Sequence, residues 1–419
     1  MLIQFKCPDC GADMTFDAQE GVLMCASCGH KEQADELKQE PKYREVQDST
    51  EDSTYSSDSK ELQYQCQSCG AVIITEPNTT ATSCSFCGSP VVLGDKLSGA
   101  LSPKYVVPFK ISKQNAEETF RNWSKKLKLA PADFKADMKV KSLTGMYVPF
   151  WLYDLLGQGE AKLEATKSST HREGEYEVTE TKHYEIYRQV DLTYNKVPAD
   201  ASKKMPDTLM DKLEPYEYND LKKFDTPYLA GYVSERYDRD YKEEFPRVEK
   251  RAESYMDNYI RDTVKGYDTV SFSKRNYQVR QTDASYTLFP VWMAYSMHNS
   301  EEHSFFMNGQ TGKIVGDTPV SKGACLAWTA LFAFIFAIIG GIIAAVTQGG
   351  AISGVGIGLI VGVIIGLIVV SSWKSSMKGV MTAGSSTYLN TGQSKVLRQY
   401  DHYTHTTTSK RKIENNNNN

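Results

Sequence analysis

The sequence predicts a multidomain protein: two small β ribbons, an α+β domain with antiparallel sheet, and a C-terminal α-helical hairpin of membrane-crossing length. Three observations carry this expectation. Eight of the nine cysteines fall in four Cys-x-x-Cys pairs before residue 90. A tyrosine-rich middle alternates between period-2 stretches and amphipathic helical patterns. Residues 325–373 form two apolar blocks without a Lys, Arg, Asp, Glu or His. Composition over the whole chain, 24% charged and 40% hydrophobic in 419 residues, would alone suggest an ordinary soluble protein of two or three domains.

The first element is a repeat. Cys7-Pro-Asp-Cys10-Gly11 and Cys25-Ala-Ser-Cys28-Gly29 recur 59 residues later as Cys66-Gln-Ser-Cys69-Gly70 and Cys84-Ser-Phe-Cys87-Gly88, with 14 residues between the knuckles of each copy. The glycine after each pair lets the turn take positive φ while backbone N–H groups approach the sulfurs. Two knuckles supply four thiolates, the tetrahedral set that structural zinc prefers. Residues 1–33 and 63–95 therefore read as two zinc ribbons, with short strands at Asp13–Phe16, Gly21–Met24 and Val72–Thr75. Iron held by four cysteines is a chemical alternative to zinc. A fully sulfur-ligated ion has no open position for water, so catalysis at these metals is not expected. His30, beside the second knuckle, reads as a surface residue. No charged n-region precedes an apolar stretch at Met1–Cys7, so no cleaved signal peptide is expected and the thiols should sit in a reducing compartment.

Charge narrows the partners of the ribbons. Residues 1–95 carry 6 Lys or Arg against 16 Asp or Glu, a net of −10. Each four-thiolate zinc centre adds about −2. Such a region repels phosphate and lacks a basic footprint, so protein contact is expected and nucleic acid is not. Residues 34–62 are polar and acidic and read as a flexible linker that leaves the two ribbons free in mutual orientation.

Residues 98–322 read as the α+β domain, balanced at 34 basic and 34 acidic side chains. Lys104–Lys110 looks like an entry strand. Ser112–Ala130 reads as an amphipathic helix, capped by Ser112, with Ala116, Phe120, Trp123 and Leu127 on one face. In Tyr184–Tyr194, Tyr184, Ile186, Val190, Leu192 and Tyr194 share a strand face. A second helix is expected over Val248–Val264, after a break at Pro246. Tyr147–Tyr153 and Leu288–Tyr295 each place a proline and a tryptophan in an apolar strand, which suggests edge strands or bulges. Asn308-Gly309 and Gly312 mark a hairpin within Ser304–Val315. The aromatic residues are read as core. No catalytic constellation stands out: His171, His183, His298 and His303 are scattered, and Gly309–Ile314 lacks phosphate-loop spacing. The chain is expected not to be an enzyme.

The hairpin comprises 325–346 and 351–373, joined by Thr347–Gly350. At about 1.5 Å per residue each block crosses a hydrocarbon core of about 30 Å. Lys322 precedes it and Lys374 and Lys378 follow it, so both termini are expected in the cytoplasm, with a multi-pass protein in the cell membrane. Gly354, Gly358, Gly362 and Gly366 recur along the second block, and Ala333, Ala337, Gly341 and Ala345 along the first. These small-residue stripes predict close packing, within the hairpin or against another copy in a homo-oligomer. Neither block has an ionisable residue to line a pathway, which counts against a channel or transporter component. Residues 374–419, with 7 basic against 2 acidic side chains, read as a basic cytoplasmic tail drawn to anionic lipid. Lys410–Lys412 and Asn415–Asn419 are expected to be disordered, and His402 and His405 to be solvated.

The knuckles, Val107-Pro-Phe-Lys110, Tyr147-Val-Pro-Phe-Trp151 and the late apolar segment resemble the YdjG-like zinc-ribbon membrane proteins of Gram-positive bacteria. Members are often labelled primosomal or helicase-like, but this chain has no nucleotide-binding loop. The resemblance implies an adaptor that docks envelope-stress proteins, of phage-shock or flotillin-like type, at the membrane.

Overall fold

A computed structural model describes residues 2–34, 62–97, 99, 102–131, 134, 143–298, 301–316, 318–346, 351–378 and 384–413. The acidic linker at 35–61, the turn at 347–350 and Asn415–Asn419 lie outside the described residues. In chain order the strands begin with β1 (Leu2–Ile3), β2 (Met14–Asp17), β3 (Val22–Cys25), β4 (Lys31–Gln33), β5 (Leu62–Gln65), β6 (Val72–Thr75), β7 (Thr79–Ser83), β8 (Pro90–Leu93) and β9 (Tyr105–Val106). Helix α1 (Lys113–Lys125) precedes two long strands, β10 (Thr144–Glu173) and β11 (Tyr176–Asp200). Then come α2 (Asp207–Leu213), β12 (Lys222–Lys223), β13 (Val233–Glu235), α3 (Tyr241–Asp262), β14 (Thr269–His298), β15 (Glu301–Asn308) and β16 (Ile314–Gly316). Helices α4 (Lys322–Val346) and α5 (Ala351–Lys378) precede the last strand, β17 (Lys395–Lys412).

The chain divides into two compact units, one of residues 1–150, 202–238 and 286–382, the other of 151–201, 239–285 and 383–419. In the first, the sheet order β1-β8-β7-β13-β10-β14-β15-β16 is mixed rather than antiparallel, because β13 runs parallel to β10 and β9 parallel to β14. Both parallel strands are short and reach their partners through long connections, which frees them from hairpin geometry. The two proline-containing strands are interior, not edges. Pairing of β10 with β13 ends at Tyr147, before Pro149. Pro290 sits where β14 changes partner, after its pairing with β9 at Leu288 and before that with β15 at Val291. In these three ladders no bond is asked of either missing N–H.

The aromatic residues of these strands are core, except Tyr295, which is exposed. Phe109 stacks on Tyr232 at 4.1 Å and meets Tyr147 and Trp292 edge-on at 5.1 Å. Ser112 caps α1 by accepting from the Asn115 N–H, and Ala116 and Phe120 are buried beneath it. The hairpin of β15 and β16 turns at Gly312, whose φ is 78°.

The second unit is built on long strands. β11 pairs antiparallel with β17 from Tyr176↔Lys412 to Asp191↔Lys395. Lys410–Lys412 thus lie in a strand and are not disordered as the sequence had suggested. On β11, Ile186, Val190, Leu192 and Tyr194 are buried, and so is Arg188. Its guanidinium meets Asp401 of β17 at 2.6 Å and Thr263 at 3.1 Å. Helix α3 starts seven residues earlier than expected and contains Pro246. Asp240 caps it by accepting from the Lys242 and Glu243 N–H groups, a stronger start signal than the proline is a stop.

Candidate metal centres

Each knuckle is folded by the same two backbone hydrogen bonds. The glycine N–H donates to the carbonyl of the first cysteine: Gly11 to Cys7, Gly29 to Cys25, Gly70 to Cys66, Gly88 to Cys84. The first cysteine N–H in turn donates across the turn, Cys7 to Ala12, Cys25 to His30, Cys66 to Ala71 and Cys84 to Ser89. The four glycines have φ of 74°, 79°, 76° and 78°. A Cβ at any of them would meet nothing within 4 Å, so the demand for glycine is conformational rather than steric.

These turns gather two sets of four sulfurs, Cys7, Cys10, Cys25 and Cys28 in one and Cys66, Cys69, Cys84 and Cys87 in the other, each set within 4.8 Å. Cys7–Cys28 and Cys10–Cys25 are 3.5 Å apart, Cys66–Cys87 3.7 Å and Cys69–Cys84 3.8 Å. A tetrahedron with Zn–S bonds of about 2.3 Å has edges of about 3.8 Å. The sulfurs therefore fit a zinc ion in each ribbon, and the protein has two zinc sites. In each set the first cysteine of each knuckle is buried and the second exposed. The Cys28 backbone N–H lowers the Cys25 thiol to about 7, toward the thiolate that ligation requires.

His30 is not a plain surface residue. Its Nδ1 lies 2.7 Å from Asp9 and its Nε2 3.2 Å from Glu32, and these carboxylates, Glu32 foremost, raise its pKa. With both ring nitrogens engaged, it braces the two knuckles of the first site rather than joining the four sulfurs.

The two ribbons do not orient freely. β1, ahead of the first knuckle, pairs with β8 of the second copy, Leu2 opposite Leu93. Lys6 donates to Ser68 at 2.9 Å, and Ser89 to Asp13 at 2.7 Å. The copies also differ in what they bury. Phe16 of the first packs on Tyr228 at 5.2 Å, and its N–H donates to Ala230. The second leaves Val72, Ile74 and Phe86 53%, 59% and 76% exposed. Sequence reasoning missed these because Val72 and Ile74 alternate like any half-buried strand.

Among the apolar helices, Gly358, Gly362 and Gly366 are buried against α4. A Cβ on Gly362 would come within 2.7 Å of Ala333 Cα, and one on Gly366 within 3.1 Å of Thr329 Cα. Gly358 approaches Ala337 and the Phe336 carbonyl, and Gly354 approaches Gly340 and Ala344. On α4 the stripe therefore runs Ala333, Ala337, Gly340, Ala344, whereas Gly341 faces Val355 and Ala345 is exposed. The α4 stripe thus steps 4-3-4 where the α5 glycines step in fours, and both keep to the contact line. His183 stacks on His405, distant in sequence, at 4.4 Å, and His298 lies 6.3 Å from His303 across the β14–β15 hairpin.

The TFIIB zinc-binding family matches residues 5–46, which include both knuckles of the first ribbon and the start of the linker. The uncharacterized protein YdjG of Bacillus subtilis (strain 168) is 44% identical over 328 residues, 78% of this chain and 93% of that protein. No solved structure matches.

Proposed function

The chain belongs to the family of YdjG, and from that premise we propose a non-enzymatic, membrane-anchored adaptor that recruits protein partners through its second zinc ribbon. The anchor is α4 and α5. The observation that carries it is their exposure: only 11% and 22% of their most apolar windows are buried, whereas a soluble core helix of this composition is mostly covered. Leu326, Phe334, Ile338, Ile342, Ile357 and Ile364 face outward, an apolar surface that lipid satisfies. Lys322 and Lys374 at the two open ends favour the cytoplasmic side for both.

The zinc ions hold shape. Four sulfurs close each coordination sphere, which leaves recognition to the surface around it. Phe86 in one knuckle, and Val72 and Ile74 on the strand after the other, supply exposed apolar surface for it. Protein partners suit an apolar knob in an acidic region better than nucleic acid does. The family resemblance points to envelope-stress proteins of phage-shock or flotillin-like type as the partner class.

The full chain is expected to resist alkaline extraction from membranes, and release would remove the anchor. For recruitment, partners captured from detergent extracts are compared between wild type and Phe86→Ala/Ile74→Ser, both still holding two zinc ions. Identical partner sets would sink the adaptor reading.

A further inference from the structure

The end of α1 is tied to the base of the apolar helices. The Leu129 carbonyl accepts from the Ser321 N–H at 2.9 Å, immediately before α4. Leu127, Leu129 and Ala130 are buried. Lys128 reaches out between them, its Nζ 4.2 Å from the ring centre of Trp373 and 6.0 Å from that of Trp328. These two rings meet edge-on at 5.2 Å, one near the start of α4 and the other near the end of α5. Tryptophans in this position mark the boundary between hydrocarbon and headgroups.

We propose that Lys125, Lys126 and Lys128, with Lys322 and Lys374, form a binding surface for anionic phospholipid headgroups. This rests on the membrane anchor argued above. All five lysines are exposed, and none makes an ion pair among the described residues. The helix dipole favours Lys125 and Lys126 at the C-terminal end of α1 and Lys374 near that of α5, but not Lys128 or Lys322. Lys128 lies beyond α1, and Lys322 opens α4, where the dipole disfavours a cation. The Ser321–Leu129 bond and the Lys128–Trp373 contact bring all of them to the level of the tryptophans. Like charges gathered without ion-pair partners among the described residues repel, and a phosphodiester headgroup relieves that repulsion. Each lysine near an anionic surface contributes roughly a fivefold preference.

The test uses the full zinc-loaded chain in vesicles of phosphatidylcholine with a minor fraction of phosphatidylglycerol. Bromine is placed on the acyl chains of one lipid or the other at equal mole fraction, and quenching of tryptophan fluorescence is read. Brominated phosphatidylglycerol is expected to quench more strongly in wild type. Lys125→Ala/Lys126→Ala/Lys128→Ala should reduce that preference at least about fivefold while quenching by brominated phosphatidylcholine persists. Lys128→Arg alone, and Lys410→Ala/Arg411→Ala/Lys412→Ala in the tail, should keep the preference. Equal quenching by both lipids in wild type, or an undiminished preference in the α1 variant, overturns the proposal. Absence of quenching by either lipid removes the membrane anchor itself, and this surface with it.

Discussion

Gly362→Ala isolates the packing of the two apolar helices. The added Cβ would lie 2.7 Å from Ala333 Cα, 2.8 Å from the Phe332 carbonyl oxygen and 2.9 Å from Phe336 Cβ. Two of these neighbours are backbone and cannot rotate away. Ordinary contact begins near 3.4 Å, so the helices must part by about 0.7 Å at this point. A separation of this size forfeits a quarter to a half of each contact's attraction along the seam. Overpacking of this kind costs about 1–3 kcal/mol. Gly356→Ala is the control: it lies on the same helix, and its Cβ would meet nothing within 4 Å. Both substitutions gain the same helix propensity, so the difference between them is packing alone. In mixed micelles titrated with dodecyl sulfate, followed by far-UV circular dichroism, Gly362→Ala should unfold more easily than Gly356→Ala by that amount. Equal stability of the two variants would refute the seam.

Three further outcomes are expected. Metal analysis should find two zinc ions per chain, and Cys69→Ser should leave one, since each set of four sulfurs closes independently. Gly88→Ala forces an L-residue to a φ of 78° without a clash, which costs about 1–2 kcal/mol and should weaken zinc binding about fivefold to thirtyfold in chelator competition. Asp401→Asn removes the carboxylate facing buried Arg188 and should destabilise the second unit by about 1–3 kcal/mol, with faster amide exchange along β17. Burial alone would raise the Asp401 pKa, but the Arg188 and Tyr267 hydrogen bonds hold it below its usual value. That stabilisation is therefore present above the unfolded pKa of about 3.9 and lost as pH falls through the lower folded value, so wild type and Asp401→Asn should converge in acid.

Local chemistry was the part legible in the sequence. The knuckles announce themselves because spacing, glycine and thiol all serve one turn, and Ser112 was readable as a cap for the same reason. What failed depended on distant partners. Lys395–Lys412 carries β-favouring Val, Tyr and Thr but no apolar face to mark a strand, because β11, which completes it, lies more than 200 residues earlier. Arg188 breaks an apolar face for Asp401, equally remote. Proline reads from sequence as an edge marker, but Pro149 lies past the end of the β13 pairing and Pro290 between two partners of β14, a fact of register. The stripe on α4 was placed by counting fours, and geometry shifted its far half by one residue, to Gly340 and Ala344. Which ribbon face is covered was likewise decided by Tyr228 and Ala230, far along the chain.

The ladder between β11 and β17 has a consequence for how the chain is threaded. Residues 176–191 are synthesised before the apolar helices and residues 395–412 after them, yet they share sixteen paired positions. A hydrogen-bonded ladder cannot be stretched across a bilayer, so the anchoring proposed above requires the segments flanking the two helices to emerge into one compartment. Lysine counts alone give a statistical bias toward that arrangement; on the proposed anchoring, strand pairing adds the demand for an even number of crossings.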